Sequence, residues 1–351
     1  MENLNNILVL PLISSFIITV IATPIALIFL KQFDVVDDPQ KHKHPAIIHK
    51  KPIPRGGGIP LFIGALIPSL IFLPQDKIII AALIAAFFSL VVGIFDDKFD
   101  VSPYIRFIVN IACAMFVVFV GATIPFITNP FGGILFLNSF NIPYLSSLIA
   151  VLWIVWVMNM LNWSKGVDGQ MPGIVAISAI VIGLLSLRFY PLDQGSYVAA
   201  TLSFIVAGAS LGFLVFNFYP AKIFPGYGAT SLYLLLAVAS ILSSAKLATA
   251  ILVMGVPMTD GFFTILRRVL SGKSPFWHDK KHLHHLLLNL GLSQKRVALF
   301  YWIVSAILGT ISLMLTSKGK LFAIIMLVIL VGGGLVFLHL LTKRANDKTI
   351  L

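Results

Sequence analysis

The chain is poor in charge and nearly without cysteine. Only 11% of its 351 residues are charged, against about 25% in soluble proteins, which excludes a globular enzyme with a small anchor. The single cysteine, Cys113, lies in an apolar run. An intrachain disulfide and a cysteine-based zinc site are therefore both excluded. No positive residue precedes the first apolar run, which argues against a cleaved signal peptide. Internal repeats and low-complexity segments are also missing, so the duplicated pattern of many transporters is not seen.

What the chain does have is hydrophobicity, with 58% apolar residues. A membrane span needs about 20 of them in sequence. Eleven candidate segments are found at 7–30, 58–74, 78–95, 105–121, 144–162, 171–188, 197–218, 229–243, 246–264, 297–316 and 321–342. The eighth is short, and its boundary with the ninth rests on Ser243, Ser244 and Lys246. The expected fold is an all-α polytopic membrane protein of ten or eleven transmembrane helices, forming one membrane domain over 1–351.

With the N-terminus outside, 20 of the 25 Lys and Arg residues fall in inside loops and 5 outside. That bias predicts an N-out, C-in topology in a bacterial inner (plasma) membrane. Seven of the eight His residues and most acids share the inside face. Chemistry is thus expected in a cytoplasmic cleft. The net charge of +12 is read as cytoplasmic loops facing the lipid bilayer plus an anionic substrate, with no nucleic acid. On the other side, the alternating stretch Gly133-Ile134-Leu135-Phe136-Leu137 suggests a small hairpin without an assigned role.

The inside loops hold the candidate chemistry. Asp96-Asp97 and Asp100 close the apolar run that begins at Ile78. Carboxylates this close repel unless a cation or shared proton lies between them. They fit either a solvated helix cap or a Mg²⁺ site whose shell is completed by substrate phosphates. In the first loop, Lys41, Lys43, Lys50, Lys51 and Arg55, with His42, His44 and His49, suit phosphate oxygens or anionic lipid. Gly56 and Gly57 follow, and glycine lets backbone N–H groups approach an anion. Asn159 and Asn162 share a helix face at i,i+3, either to read a base, sugar or phosphate or to bond a neighbouring helix. Gly166 and Gly169 flank Asp168 in a tight loop that aims it inward. Thr230 or Ser231 can cap the helix after the loop 219–229. His282 and His285 lie among Arg267, Arg268, Lys280 and Lys281. That surrounding charge suits a diphosphate better than zinc.

Taken together, these motifs resemble the polyprenyl-phosphate N-acetylhexosamine-1-phosphate transferases, a glycosyltransferase-4-type membrane family. The resemblance rests on Asp38-Pro39 with Pro54-Arg55-Gly56-Gly57, on Asp96-Asp97, on Asn159…Asn162…Asp168-Gly169, and on Asp260. It extends through Arg267-Arg268…Ser274-Pro275-Phe276…Asp279…His282-Leu283-His284-His285. The His-x-His-His form looks like the GlcNAc-type branch, the phospho-MurNAc-pentapeptide branch being the alternative. The resemblance implies that a polyprenyl phosphate such as undecaprenyl phosphate attacks a UDP-sugar and releases UMP, with a homodimer as a further association. It also implies Mg²⁺ (or Mn²⁺) on Asp96 and Asp97, and Asp96, Asp97 and Asp168 as catalytic acids. Arg55, Gly56, Gly57, Asn159, Asn162, Lys165, Asp260, Arg267, Arg268, His282, His284 and His285 would bind substrate.

Two positions depart from the family pattern. Lys165 stands where the family's Asn-x-x-Asn-x-x-Asp-Gly has an acid. Tyr227 stands where its Gly-Asp-x-Gly-Ser has a metal-binding Asp. Both changes shift the site toward positive charge. An active transferase, a relative that binds lipid phosphate or nucleotide-sugar without turnover, and one with a changed nucleotide-sugar follow as readings. A secondary transporter is the distant rival, since the charges collect at one face rather than deep in spans.

Overall fold

The structure is a computed structural model that describes residues 4–40, 49, 51–190, 194–242, 247–277 and 281–348, without the side chains of residues 194 and 339–348. Lys41, His42, Lys43, His44, Lys50, Asp279 and Lys280, and the boundary at Ser243, Ser244 and Lys246, lie outside the described residues.

Every apolar segment anticipated above is helical. The order is α1 (Leu10–Gln32), α2 (Gly58–Phe72), α3 (Lys77–Phe99), α4 (Pro103–Val120), α5 (Leu145–Trp163), α6 (Gln170–Leu187), α7 (Gln194–Asn217), α8 (Thr230–Ile241), α9 (Leu247–Val253), α10 (Gly255–Leu270), α11 (Leu283–Asn289), α12 (Gln294–Met314) and α13 (Ser317–Lys348). Two short ribbons accompany them. Val36–Asp37 pairs with Ile53–Pro54, and Phe126–Thr128 pairs with Ile134–Phe136 as the outer hairpin.

Against the ten or eleven spans expected, eight helices among the described residues are long and apolar enough to cross a membrane, or nine if the pair α9–α10, bent by 80° at its break, is counted as one span. The segments at 58–74 and 229–243 form helices of only 15 and 12 residues. At 1.5 Å per residue these reach roughly 18–22 Å, short of the ~30 Å hydrocarbon core.

The reason for the shortest helix is its position. All twelve residues of α8 are buried, and α3, α5, α6 and α7 pack around it. A helix that is apolar all round belongs inside a bundle. Hydroxyl contacts fix its depth. Ser89 Oγ of α3 lies 2.8 Å from Thr230 Oγ1, and the Trp153 indole N–H of α5 donates to Ser240 Oγ at 2.8 Å. Such polar bonds between helices replace the hydrophobic drive that lipid removes.

Backbone contact sets the N-terminus of α8. A Cβ on Gly58 would lie 2.2 Å from the Gly228 carbonyl carbon, and one on Gly93 would lie 2.3 Å from Gly228 Cα. Glycines at these two sites let α2 and α3 close on the loop that precedes α8. The final turn of α3, with Asp96 and Asp97, is thereby pressed against residues 226–228.

Gly93→Val is expected to lower the unfolding midpoint in detergent, since overpacking costs about 1–3 kcal/mol. Gly333→Ala, with nothing within 4 Å of its added Cβ, should leave the midpoint unchanged. Equal midpoints for Gly93→Val and the parent would refute the packing account.

Candidate functional site

At one end of the bundle a cavity of about 940 Å³ opens among the loops that follow α1, α3, α5, α7 and α10. Asp96, Asp97, Arg55, Asn162, Lys165 and His284 are among its walls. Segments separated by more than two hundred residues therefore meet at one point, as the common sidedness of their loops anticipated.

Asp96 and Asp97 occupy the last turn of α3, and both are buried. Asp100 does not extend their face, because the helix stops at Phe99 and Asp100 adopts a left-handed backbone with φ 51°. Both oxygens of Asp96 face Arg106 Nη1, at 3.0 and 3.1 Å, while Arg55 Nη2 lies 3.6 Å away. Asp97 Oδ1 meets Arg55 Nε at 3.0 Å and accepts the Tyr227 backbone N–H at 2.7 Å. Asp97 Oδ2 is buried and accepts no hydrogen bond. Gly226, with φ +67°, closes directly on this carboxylate, and a Cβ there would lie 2.0 Å from Oδ2.

Lys165 completes the cluster. Its Nζ donates to the Gly226 carbonyl at 2.9 Å and lies 5.8 Å from the Tyr227 ring centre. Arg106 lies 5.1 Å from the same ring. Burial, then the neighbouring Arg55, pulls the Lys165 ammonium down to about 7, against the attraction of Asp97 and Asp96. The Tyr227 hydroxyl accepts from Asn110 Nδ2 at 2.9 Å. Burial raises its phenol above the usual range, so it stays neutral.

This donor set does not suit the Mg²⁺ or Mn²⁺ that the resemblance implies. Mg²⁺ needs an octahedral set of oxygen donors. Here the oxygens of Asp96 face guanidinium, Asp97 Oδ1 is taken by Arg55 and the Tyr227 N–H, and Tyr227 turns a ring rather than an anion toward the cluster. Among the described residues no three His, Cys, Asp or Glu side chains converge as metal ligands. Asp96 and Asp97, expected as metal ligands, are each paired with an arginine in this structure.

The histidine segment forms a second wall. Asp260 does not line the cavity, as expected of a substrate ligand, but stands behind it. Its Oδ2 lies 2.8 Å from His282 Nδ1, and its Oδ1 accepts the Leu283 N–H at 2.9 Å. His282 and His284 stack with centres 5.5 Å apart and planes 8° apart, and His285 follows at 4.3 Å from His284. Gly166 is required here, since a Cβ would lie 2.0 Å from His284 Nε2. Burial and the adjoining imidazoles hold His284 well below its usual value, so it stays neutral. Arg268 Nη1 donates to the Pro275 carbonyl at 2.6 Å, and Arg268 also lies over Trp163. Arg267 points out of the cavity, with Nη1 3.4 Å from the Lys281 carbonyl.

Asn159 and Asn162 both line the cavity. Asn159 Nδ2 donates to Val155 O of its own helix at 2.7 Å, whereas Asn162 Oδ1 is buried without a partner. Asp168 also lines the cavity, but its Oδ2 is taken by the Ala221 N–H at 2.9 Å. Burial raises its carboxyl above the ordinary range.

The expectation for Gly56 and Gly57 fails. Their N–H groups donate to the Phe224 carbonyl at 3.3 and 2.9 Å and do not face the cavity. A Cβ on Gly57 would strike the Phe213 ring at 2.4 Å, so close packing is what requires glycine there. The caps expected at the start of α8 are also absent: Thr230 and Ser231 hydroxyls turn back to the carbonyls of Tyr227 and Gly228. Arg106 and Asn110 were not singled out as site residues. Their signal was available, since both sit one helical turn apart on the amphipathic α4 directly after Asp96-Asp97-Lys98.

Residues 79–244 match the family described as glycosyl transferase family 4. A Bacillus subtilis protein described as a probable undecaprenyl-phosphate N-acetylglucosaminyl 1-phosphate transferase is 32% identical, over 92% of this chain and 89% of its own length. A Thermotoga maritima undecaprenyl-phosphate alpha-N-acetylglucosaminyl 1-phosphate transferase is 27% identical, over 95% of this chain and 98% of its own length. A Moorella thermoacetica phospho-N-acetylmuramoyl-pentapeptide-transferase is also 27% identical, over 88% and 98% respectively.

Arg106→Met should destabilise the protein by about 2–4 kcal/mol, somewhat less than for a charge left wholly alone, because Arg55 remains beside Asp96. Adding Asp96→Asn should restore most of that loss in denaturant unfolding. If the double variant is as unstable as the sum of the single ones, the pair is not coupled as described.

Proposed function

The chain belongs to glycosyl transferase family 4, the polyprenyl-phosphate sugar-1-phosphate transferases, and on that premise we propose that it moves N-acetylglucosamine 1-phosphate from UDP-N-acetylglucosamine to undecaprenyl phosphate. UMP is released, and the lipid-diphosphate sugar enters cell-wall or surface-polysaccharide synthesis. The observation that supports this reading most is the cavity itself. Buried and half-buried arginines, a lysine and three histidines gather at one end of an apolar bundle, which suits a diphosphate beside a lipid chain. The positive-inside count supports a cytoplasmic position for that end.

In this reading a lipid phosphate oxygen forms a bond to the sugar-bearing phosphorus as the bond from that phosphorus to the UMP oxygen breaks. Phosphoryl transfer is mostly positioning and charge stabilisation. Arg55, Arg106 and Lys165 would spread over the equatorial oxygens. A phosphate monoester has its second pKa near 6, so little base strength is needed. The unbonded Asp97 Oδ2 would take the proton of a monoanionic acceptor and hold it in line. Asp96 would fix the guanidinium of Arg106. Asn162 Oδ1 and the unbonded oxygen of Asp168 would read hydroxyl or base donors. His282, set by Asp260, would face the nucleotide-sugar together with Arg268, His284 and His285. No part of this scheme passes through Mg²⁺ or Mn²⁺.

A relative that binds without turnover is the second reading, favoured by Lys165 and Tyr227 at positions where the family pattern is acidic. The deciding experiment follows UMP release by purified protein given undecaprenyl phosphate and UDP-N-acetylglucosamine, with UDP-MurNAc-pentapeptide in parallel. UMP from the first donor alone is the expected result, and Asp97→Asn should lower kcat about 10²–10⁴-fold. Turnover of the pentapeptide donor alone would assign the muramoyl branch. Lack of turnover with any UDP-sugar would sink the transferase reading.

A further inference from the structure

The cluster at Asp96 and Asp97 is already neutralised by side chains. Two carboxylates meet the two guanidiniums of Arg55 and Arg106, and the ammonium of Lys165 stands beside them on Gly226 O. With Lys165 charged, three positive groups face the two carboxylates of this cluster. The two departures also touch each other: Lys165 and Arg106 both lie against the Tyr227 ring, at 5.8 and 5.1 Å. Asn110 fixes that ring through its hydroxyl at 2.9 Å. The aromatic face therefore spaces two cations that would otherwise repel.

We propose that Lys165, Arg106 and Arg55 form a built-in cation cluster that does the work of a divalent ion, so that this chain binds the diphosphate of its substrate without metal. The cluster has the needed chemistry, since guanidinium and ammonium groups make the short, charge-assisted bonds that phosphate oxygens accept. It is also pre-positioned. Asp96 holds Arg106, Asp97 holds Arg55, and the Gly226 carbonyl holds Lys165. Asp97 Oδ2, which is buried without a hydrogen bond, sits against Gly226 and is left for the acceptor's proton. This inference deepens the transferase reading, and rests on it only for the identity of the anion.

The test uses the full chain in detergent or nanodiscs, with UDP as the probe. Calorimetry compares UDP binding in excess EDTA with binding in excess Mg²⁺, and UMP release is followed under the same two conditions. Electron paramagnetic resonance with Mn²⁺ reports directly on any metal site. The expected result is a UDP affinity that changes by less than about threefold between conditions, and a Mn²⁺ signal that stays that of the free ion. Lys165→Met should weaken UDP binding in EDTA by about tenfold, the worth of one charge-assisted bond, while Lys165→Arg keeps most of it. Lys165→Asp with Tyr227→Asp should acquire a Mn²⁺ site and make UDP binding depend on metal. UDP binding by the parent that needs Mg²⁺, a tight Mn²⁺ site in the parent, or no UDP binding in either condition would each overturn the proposal. The parent comparison needs no variant to fold. Turnover that vanishes in EDTA would remove the cation cluster but keep the transferase, whereas EDTA-resistant UDP binding without turnover would do the reverse.

Discussion

Two carboxylates buried at the end of an apolar bundle cannot be left alone. Isolated charges in such a place cost several kcal/mol each even after relaxation. Asp96 and Asp97 are tolerable because Arg55 reaches them from the loop before α2 and Arg106 from the start of α4. That requirement organises the neighbourhood. The loop before α8 must come close enough for the Tyr227 N–H to bond Asp97, which is possible only where Gly58, Gly93, Gly226 and Gly228 leave no side chain in the way. The burial of α8 follows, since its N-terminus is committed to the site and its body to the space between α3, α5 and α7.

The same logic extends to the histidine wall. Asp260 sits at a buried position of α10, and its two oxygens hold the His282 ring and the Leu283 backbone. Asp260, expected to bind substrate, instead supports the His282 ring. The chain bends by 80° before α10, the helix that carries both Asp260 and the cavity-lining Arg268. Rigid helix ends therefore supply most of the polar groups, which favours preorganised recognition of a charged ligand.

Part of the site was legible in the sequence. Asp96, Asp97, Asn159, Asn162, Lys165, Asp168, Arg268 and the histidines stood out because polar groups at the ends of apolar runs need a reason, and all of them line the cavity. Gly56 and Gly57 were misread, since a glycine that admits an anion and one that admits a phenylalanine ring look the same in one dimension. Arg106 was passed over as an ordinary loop charge. Hydropathy registers apolarity and not whether lipid or protein surrounds it, so the twelve-residue, fully buried α8 reads in sequence like the longer helices.

By itself the sequence determined the class of the molecule: a helical membrane bundle with its charge at one face, both dictated by the cost of polar groups in hydrocarbon. It also exposed the two departures at Lys165 and Tyr227. Only the tertiary structure decided what those departures mean. It set both cations against one aromatic ring, paired Asp96 with Arg106 and Asp97 with Arg55, and left Asp97 Oδ2 without a hydrogen bond. Hydropathy and helical period are local properties of the chain. The balance of charge at a point is a sum over segments far apart in sequence, and it exists only once they have packed.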